Sequence, residues 1–252
     1  MAGGNLWKSL DLQSWHKNLA AYETAVQLLS IKKKKPKLVT LDKWYQSTLG
    51  LTVRQRTPPH LEKHELVKLM DWKLTRGKFR PQLPSLIDSN SSEKVKSVSE
   101  ISFRNIEDTK VALKDLCDLR GVGPATASAV LTALCPEKYC FMADESVAAV
   151  LPGKINYTAK YYLEYLECVR EKSEELTQKD CGRVWSPHDV ECALWSCTVN
   201  SICGGSEDVS GKSSGKVTVK RGTKRKVDNI EEKEKENAPC STRRSNRKKL
   251  KS

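Results

Sequence analysis

Long hydrophobic runs are missing from this chain of 252 residues. No stretch approaches the roughly 18 consecutive apolar residues that suggest a membrane-spanning helix, so we expect no transmembrane segment. The N-terminal stretch MAGGNLWKSLDLQSWHK has no apolar segment behind a basic start, so a secretory signal is not expected either. The nine cysteines are therefore predicted to be free thiols in a reducing compartment.

Aromatic residues are absent from residues 204–252, where Gly, Ser, Lys and Glu dominate. Such a composition cannot bury enough apolar surface to offset the entropy of ordering, which predicts a disordered tail. The tail has 15 Lys/Arg and 7 Asp/Glu residues, and so it carries +8 of the chain's net charge of +13. A strongly basic chain favours a polyanionic partner, and nucleic acid rather than a membrane.

Basic residues cluster in three places, KKKKPK (32–37), KRGTKRK (220–226) and RRSNRKKLK (243–251). Such clusters are typical of nuclear-import signals and nucleic-acid arms, although they also occur as solvated basic surface. We predict a nuclear protein that import receptors bind through the basic clusters. The import residues are predicted to be Lys32, Lys33, Lys34, Lys35, Lys220, Arg221, Lys224, Arg225 and Lys226.

Apolar residues recur at steps of three and four through much of the first 203 residues, and strand-like alternation is scarce. This pattern predicts an all-α fold with an N-terminal helical extension (1–57), a helical domain (58–203) and the disordered basic tail (204–252). Within the helical domain we predict a loop or the start of a short helix over residues 76–86. The predicted helices cover 5–30, a stretch from near Asp42, and 60–75, 91–103, 106–117, 124–134, 158–178 and 186–200.

The stretch LCDLRGVGPATA (116–127) places two glycines and a proline between two predicted helices. Gly121 and Gly123 can adopt backbone angles that residues with a Cβ avoid, and Pro124 suits the first turn of a new helix. A tight hairpin before a helix N-terminus leaves backbone N–H groups pointing outward, ready for a phosphate. Such contacts fix position without reading sequence. The alternative is a Gly-rich helical hairpin without a ligand.

The pattern LxxLxGVGPxTA resembles the helix–hairpin–helix motif of DNA repair and replication proteins. The DNA glycosylases of this superfamily carry a catalytic aspartate at the start of the helix that follows the motif. Here Asp144, in FMADESVAAV, follows Gly121 by 23 residues. WKLTRGKFRP, the hairpin, MADES and the basic tail also resemble the Amun-type glycosylase-like nuclear proteins. The resemblance implies a helix–hairpin–helix glycosylase-like fold, double-stranded DNA as a partner and a monovalent cation under the hairpin carbonyls.

Two departures from the glycosylase pattern bear on the chemistry. Bifunctional members carry a Schiff-base lysine where this chain has Ala125, which excludes lyase chemistry through that position. The histidine of the family's V-D-x-H pattern is replaced by Ser146. The resemblance then implies a monofunctional enzyme, in which the base is flipped out and the Asp144 carboxylate stabilises the cationic sugar or orients water. The alternative is that Asp144 only caps its helix.

Cations surround Phe79 in the stretch TRGKFRP. They could grip phosphates while the ring stacks on a base, or the stretch could be an ordinary loop with Phe79 in the core. The predicted DNA-binding residues are Leu119, Arg120, Gly121, Val122, Gly123, Pro124, Ala125, Thr126, Arg76, Lys78 and Arg80.

The four cysteines Cys181, Cys192, Cys197 and Cys203 are separated by gaps that do not match the glycosylase iron–sulfur pattern. We therefore expect neither a cluster nor another metal, and predict buried thiols. Trp185, Trp195 and a set of tyrosines are predicted to be core residues, the tyrosines being Tyr161, Tyr162 and Tyr165.

Three functions fit these features. The first is a monomeric nuclear DNA-binding protein of the DNA glycosylase type, monofunctional if active. The second is a degenerate glycosylase fold that binds DNA or chromatin without catalysis, as the missing lysine and histidine suggest. The third is a helical protein-interaction module in which only the tail contacts nucleic acid. In the third case, removal of residues 204–252 would abolish DNA binding.

Overall fold

The computed structural model describes residues 2–204, which form thirteen α-helices and one π-helical turn, with no strand in that range. The predicted all-α class is confirmed. The helices are α1 (Ala2–Lys8), α2 (Leu12–Ala20), α3 (Tyr22–Lys33), α4 (Lys37–Trp44), the π-turn (Tyr45–Leu49), α5 (Gly50–Arg54), α6 (Lys63–Arg76), α7 (Leu83–Asp88), α8 (Ser92–Arg104), α9 (Thr109–Leu116), α10 (Pro124–Leu134), α11 (Asp144–Val150), α12 (Ala159–Lys179) and α13 (Pro187–Cys203).

The N-terminal region is three helices, and the prediction of one helix over 5–30 is wrong. Asp11 starts a new helix, because its carboxylate accepts hydrogen bonds from the backbone N–H groups of Gln13 and Ser14. Helix α3 then extends into the basic cluster and ends at Lys34, which has left-handed backbone angles (φ 54°). The first lysines of KKKKPK therefore lie within this helix, beyond the predicted end at residue 30.

Helix α13 lies at the centre of the hydrophobic core and packs against α1, α2, α3, α11 and α12. It begins as predicted, because Ser186 and Asp189 form a reciprocal capping box at its N-terminus. Three tryptophans, Trp15, Trp72 and Trp195, are completely buried. Trp185 is also buried, so both tryptophans predicted for the core are confirmed. The core therefore joins the N-terminal helices to the C-terminal one.

The predicted helix pair around the Gly-Val-Gly-Pro stretch is present as α9 and α10. Small residues let α10 lie close to its neighbours: a Cβ on Gly50 would stand 1.9 Å from the carbonyl oxygen of Ala133. The segment after α10 runs back alongside that helix. In this segment the N–H of Met142 donates to Oγ of Ser128 in α10 (3.0 Å). This contact fixes the segment that leads into α11, so the start of α11 is held beside the hairpin.

The described residues belong to one compact unit, which spans Met1–Asp208. Nearly all of the predicted disordered tail (204–252) lies outside the described residues. The same holds for the import residues predicted there, namely Lys220, Arg221, Lys224, Arg225 and Lys226. A search of the described part of the chain finds no helix with the length and apolarity to cross a membrane.

Candidate functional site

The hairpin between α9 and α10 is held by Gly121 and by the side chain of Asn90. Gly121 has φ +79°, and a Cβ there would approach Cβ of Leu86 to 3.0 Å. The amide of Asn90 accepts from the N–H of Arg120 (2.9 Å) and donates to the carbonyl of Arg120 (2.9 Å). The turn is therefore rigid, and the backbone directions of its amides are fixed.

Three amides of this hairpin donate to no acceptor among residues 2–204, those of Gly121, Gly123 and Ala125. The neighbouring N–H of Val122 is occupied, because it donates to the carbonyl of Leu119 (3.0 Å). Unpaired amides at a hairpin and a helix N-terminus attract anions, since they carry fixed partial positive charge. They line a common cleft, so a phosphate can meet them there.

The side chains of the hairpin contribute unequally. Those of Leu119, Val122, Ala125 and Thr126 are buried, so these residues can present only backbone atoms to a ligand. The side chain of Arg120 is exposed and remains free to contact a phosphate.

Asp144 lies at the start of α11 as predicted and lines the same cleft, whose volume is about 240 Å³. Its Oδ2 is 3.1 Å from Nζ of Lys78, and its Oδ1 accepts from the hydroxyl of Tyr157 (2.7 Å). Burial, together with the neighbouring Asp144, raises the pKa of Tyr157 to about 12, so the phenol remains a donor at neutral pH. The capping alternative is wrong, because Ala143 occupies the N-cap position.

The cations of TRGKFRP divide between the cleft and the core. Lys78 and Arg80 are exposed and line the cleft, as a phosphate-binding role requires. Arg76 also lines the cleft, but its DNA-binding prediction is wrong, because α6 continues to Arg76, which is only 2% exposed and already pairs with Glu191 (3.1 Å). Phe79 is 63% exposed, so its placement in the core is wrong too. Its ring lines a separate groove beside the cleft rather than the cleft itself.

Several cleft residues were not singled out from the sequence, among them two with polar side chains, Lys73 and Tyr157. Lys73 lies in the last turn of α6, and Tyr157 lies in the loop between α11 and α12. Neither belongs to a motif, and each reaches the cleft only through the folding of distant segments. No local signal could have identified them.

Two lysines of the basic cluster 32–35 donate hydrogen bonds to backbone carbonyls of other helices. Nζ of Lys33 donates to the carbonyls of Arg76 (2.6 Å) and Gly77 (3.0 Å), and Nζ of Lys32 donates to that of Ile202 (2.6 Å). Cations satisfy the unpaired carbonyls at helix C-termini. The import prediction for Lys33 therefore needs correction, since its half-buried ammonium ties α3 to α6. Lys34 is exposed, and Lys35 is partly buried.

The resemblance implies a monovalent cation under the hairpin carbonyls. The carbonyls of Leu119 and Arg120 each accept one hydrogen bond, from Val122 and Asn90, whereas those of Gly121 and Val122 accept none among residues 2–204. Carbonyl oxygens are therefore present that could hold such an ion, and no step of the chemistry is derived through it.

A second set of candidate metal ligands stands on α13, where atoms of His188, Glu191 and Cys192 lie within 4.8 Å of one another. The Glu191 carboxylate already pairs with the buried guanidinium of Arg76. A metal cation would have to share that carboxylate with a fixed positive charge, so we assign no metal to these residues. Cys192 is buried, as predicted, but the prediction of buried thiols is wrong for the other three cysteines: Cys181 is exposed, and Cys197 and Cys203 are only partly buried.

Core roles were predicted for three tyrosines of α12, and two of them are completely buried, Tyr162 and Tyr165. The hydroxyl of Tyr165 donates to Oγ of Ser146 (2.9 Å), which stands at the position of the histidine in the glycosylase V-D-x-H pattern. Ser146 is thus a buried structural residue and lies outside the cleft.

Comparisons of the chain with protein-family models, with curated proteins and with solved structures each find no significant match.

Proposed function

We propose that this chain is a DNA-binding protein of the monofunctional DNA glycosylase type, in which Asp144 is the catalytic carboxylate. One observation carries the proposal: the unpaired amides of the hairpin, the cations Lys78 and Arg80, and the carboxylate of Asp144 line a single cleft. A phosphate binder beside an acid is the minimum that hydrolysis of a nucleoside in DNA requires.

Each part of the cleft has a physical role in this proposal. The free amides hold the phosphate backbone, and Lys78 and Arg80 add charge without reading sequence. The flipped nucleotide brings its sugar to Asp144, which stabilises the positive charge that develops as the glycosidic bond breaks. Lys78 is 72% exposed, so its ammonium can exchange Asp144 for a DNA phosphate when the duplex arrives. Tyr157 keeps the carboxylate oriented throughout.

A second candidate is a DNA-binding scaffold of the same fold without chemistry. One observation favours it: Asp144 is engaged by two partners, Lys78 and Tyr157. A carboxylate held in this way favours a surface that grips the duplex without attacking a nucleotide.

The test measures binding of the full chain to two duplexes that are identical except at one position. One is undamaged, and the other carries a cationic pyrrolidine in place of one nucleotide, which copies the charged sugar of the transition state. We expect the wild-type protein to prefer the pyrrolidine duplex and the Asp144→Asn variant to bind both equally. Asparagine has almost the same shape as aspartate, so the lost preference reports the charge.

Tyr157→Phe is the matched control, because it removes one hydrogen bond to Asp144 but leaves the carboxylate charged. It should keep most of the preference for the pyrrolidine duplex. Equal binding of both duplexes by the wild-type protein contradicts catalysis and supports the scaffold. If the protein binds neither duplex through the hairpin, the result supports the third alternative, a helical protein-interaction module.

A further inference from the structure

The groove that Phe79 lines is strongly basic. It lies where the end of α3 and the start of α4 meet α6 and α7. Among the residues that line it, the cations are Lys34, Lys35, Lys37 and Lys68, and the one acid is Asp71. Asp71 already pairs with Lys37 (2.7 Å). The groove therefore carries an excess of positive charge and suits an anionic ligand.

The most exposed large apolar side chain of the groove is Phe79. It is 63% exposed, whereas the larger aliphatic residues of the floor are nearly inaccessible, namely Met70, Leu74 and Ile87. The other exposed apolar residues of the lining are a valine and two prolines, Val67, Pro36 and Pro84. A peptide helix that docks in a groove needs several apolar anchor positions in a row. One ring among cations instead suits a nucleic-acid base, which stacks on the ring while the cations hold the phosphates.

The lysines at the end of α3 are held in place beside this ring. Lys34 ends the helix with φ 54°, and among the described residues it is the one non-glycine residue with a positive φ. Backbone strain of this kind is concentrated at ligand-binding positions. Nζ of the preceding Lys33 donates to the carbonyls of Arg76 and Gly77, directly before the segment that carries Phe79. The contact fixes the basic end of α3 relative to the ring.

The groove and the cleft share one wall, the segment 78–80. The side chains of Lys78 and Arg80 line the cleft, and the side chain of Phe79 between them lines the groove. Alternate side chains of this segment thus serve the two depressions. A DNA strand whose phosphates contact Lys78 and Arg80 can continue over this wall and bring its next bases to Phe79.

We propose that this groove is a binding site for single-stranded DNA, with a base stacked on Phe79 and phosphates on the lysines of the groove. The site goes beyond the proposed function, because it lies outside the cleft and does not require Asp144 to be catalytic. The ligand is a single-stranded stretch that adjoins a duplex, as at a gap or a fork. Binding is independent of sequence, since every base has a face that can stack.

The experiment irradiates the full chain together with an oligonucleotide of about ten thymidines, some of them replaced by 5-iododeoxyuridine. Light breaks the carbon–iodine bond, and the uracil ring then bonds to an aromatic side chain stacked on it. We expect an adduct that peptide mapping assigns to Phe79. Residues 204–252 contain no aromatic residue, so the tail cannot supply an aromatic adduct. Tyr157, which is 41% exposed in the cleft, would report a strand bound there instead.

Substitution of Phe79 separates stacking from charge. Phe79→Ala should weaken the binding of an unmodified thymidine oligonucleotide by about tenfold, which is the loss of one stacked base. The measurement is made at raised salt, because salt suppresses the purely electrostatic binding of the tail. Phe79→Trp is the conservative variant, and it should retain the affinity and give an adduct at the same position. The exposed position of Phe79 makes both substitutions compatible with the fold.

A matched pair of charge variants tests the lysines. The double variant Lys34→Glu, Lys35→Glu should lower the yield of the Phe79 adduct on the order of tenfold, since two phosphate contacts are lost. The control is Lys94→Glu, Lys96→Glu, which changes the net charge equally at two exposed positions of α8 outside the groove. It should leave the yield unchanged. An equal loss in both variants would show that the charge of the whole molecule, and not the groove, holds the strand.

The site of the adduct decides the proposal. An adduct at Tyr157 without one at Phe79 overturns the groove as the binding site and places the strand in the cleft. Absence of any aromatic adduct also overturns it, and a protein partner then becomes the occupant to seek. The preference for the pyrrolidine duplex is a separate readout, so either proposal can fail while the other stands.

Discussion

The guanidinium of Arg76 is a buried charge, and its burial determines how a substitution of Arg76 changes the stability of the fold. It lies 3.1 Å from the carboxylate of Glu191, with both side chains almost inaccessible, and its carbon is 4.1 Å from the ring centre of Trp195. Removing one partner of a buried pair strands the other charge, which costs about 3–5 kcal/mol. We expect Arg76→Met to lower the free energy of unfolding by about that amount in chemical denaturation.

The pH dependence of this loss identifies the stranded group. Burial raises the pKa of Glu191 and Arg76 lowers it, so without Arg76 the folded-state pKa rises further. A carboxyl with a raised folded-state pKa destabilises the fold as pH rises, so the deficit of Arg76→Met should shrink on acidification. The double variant Arg76→Met, Glu191→Met should recover most of the stability. A deficit that is independent of pH would contradict this account.

At the scale of the element, the two glycines of the hairpin have different roles. Gly121 has φ +79° and no room for a Cβ, whereas a Cβ on Gly123 would meet no atom within 4 Å. We expect Gly121→Ala to destabilise the fold by more than about 1 kcal/mol, since left-handed angles alone cost an alanine about that much. Gly123→Ala should change the stability by less than about 1 kcal/mol.

Gly123→Ala should instead weaken binding to undamaged duplex, by about tenfold if it displaces a phosphate from one amide. The methyl group would stand in open space beside the unpaired amides of Gly123 and Ala125. Ser89→Ala, an exposed change outside the lining of the cleft, controls for general effects. Unchanged affinity in Gly123→Ala would show that the phosphate does not sit on these amides.

The elements show where sequence reasoning succeeds. The hairpin and Asp144 were predictable because their geometry is local: glycines set the turn, and 23 residues of chain lead to the next helix start. Arg76 was misplaced because Gly77 and Pro81 suggest a loop, while α6 continues for one more residue and turns the guanidinium inward. The single helix over 5–30 was wrong because periodicity alone does not show the break that Asp11 introduces.

Lys73 and Tyr157 could not be predicted, because their roles depend on tertiary structure. Lys73 shares a helical face with many ordinary residues, and only the packing of α6 against the hairpin region directs it into the cleft. Tyr157 approaches Asp144 through a loop whose course the sequence does not determine. Motifs therefore locate the hairpin and the acid, whereas the contacts that surround the acid emerge only in the fold.

At the scale of the whole molecule, charge and geometry are divided between two parts of the chain. Residues 204–252 carry +8 of the net +13, whereas the cleft lies within the compact unit Met1–Asp208. Affinity that comes from neutralising phosphates falls steeply with salt, and it is the same for every sequence or lesion. The tail should therefore set how tightly DNA is held, and the cleft should set which DNA is preferred.

A chain that ends at Asp208 tests this division. Its affinity for undamaged duplex should fall, and the slope of log affinity against log salt should become shallower by about 0.9 for each phosphate contact that is lost. Its relative preference for the pyrrolidine duplex should equal that of the full chain, because Asp144 and the hairpin are intact. If binding disappears entirely, or if the preference is lost with the tail, the cleft is not the DNA site and the helical body serves another partner.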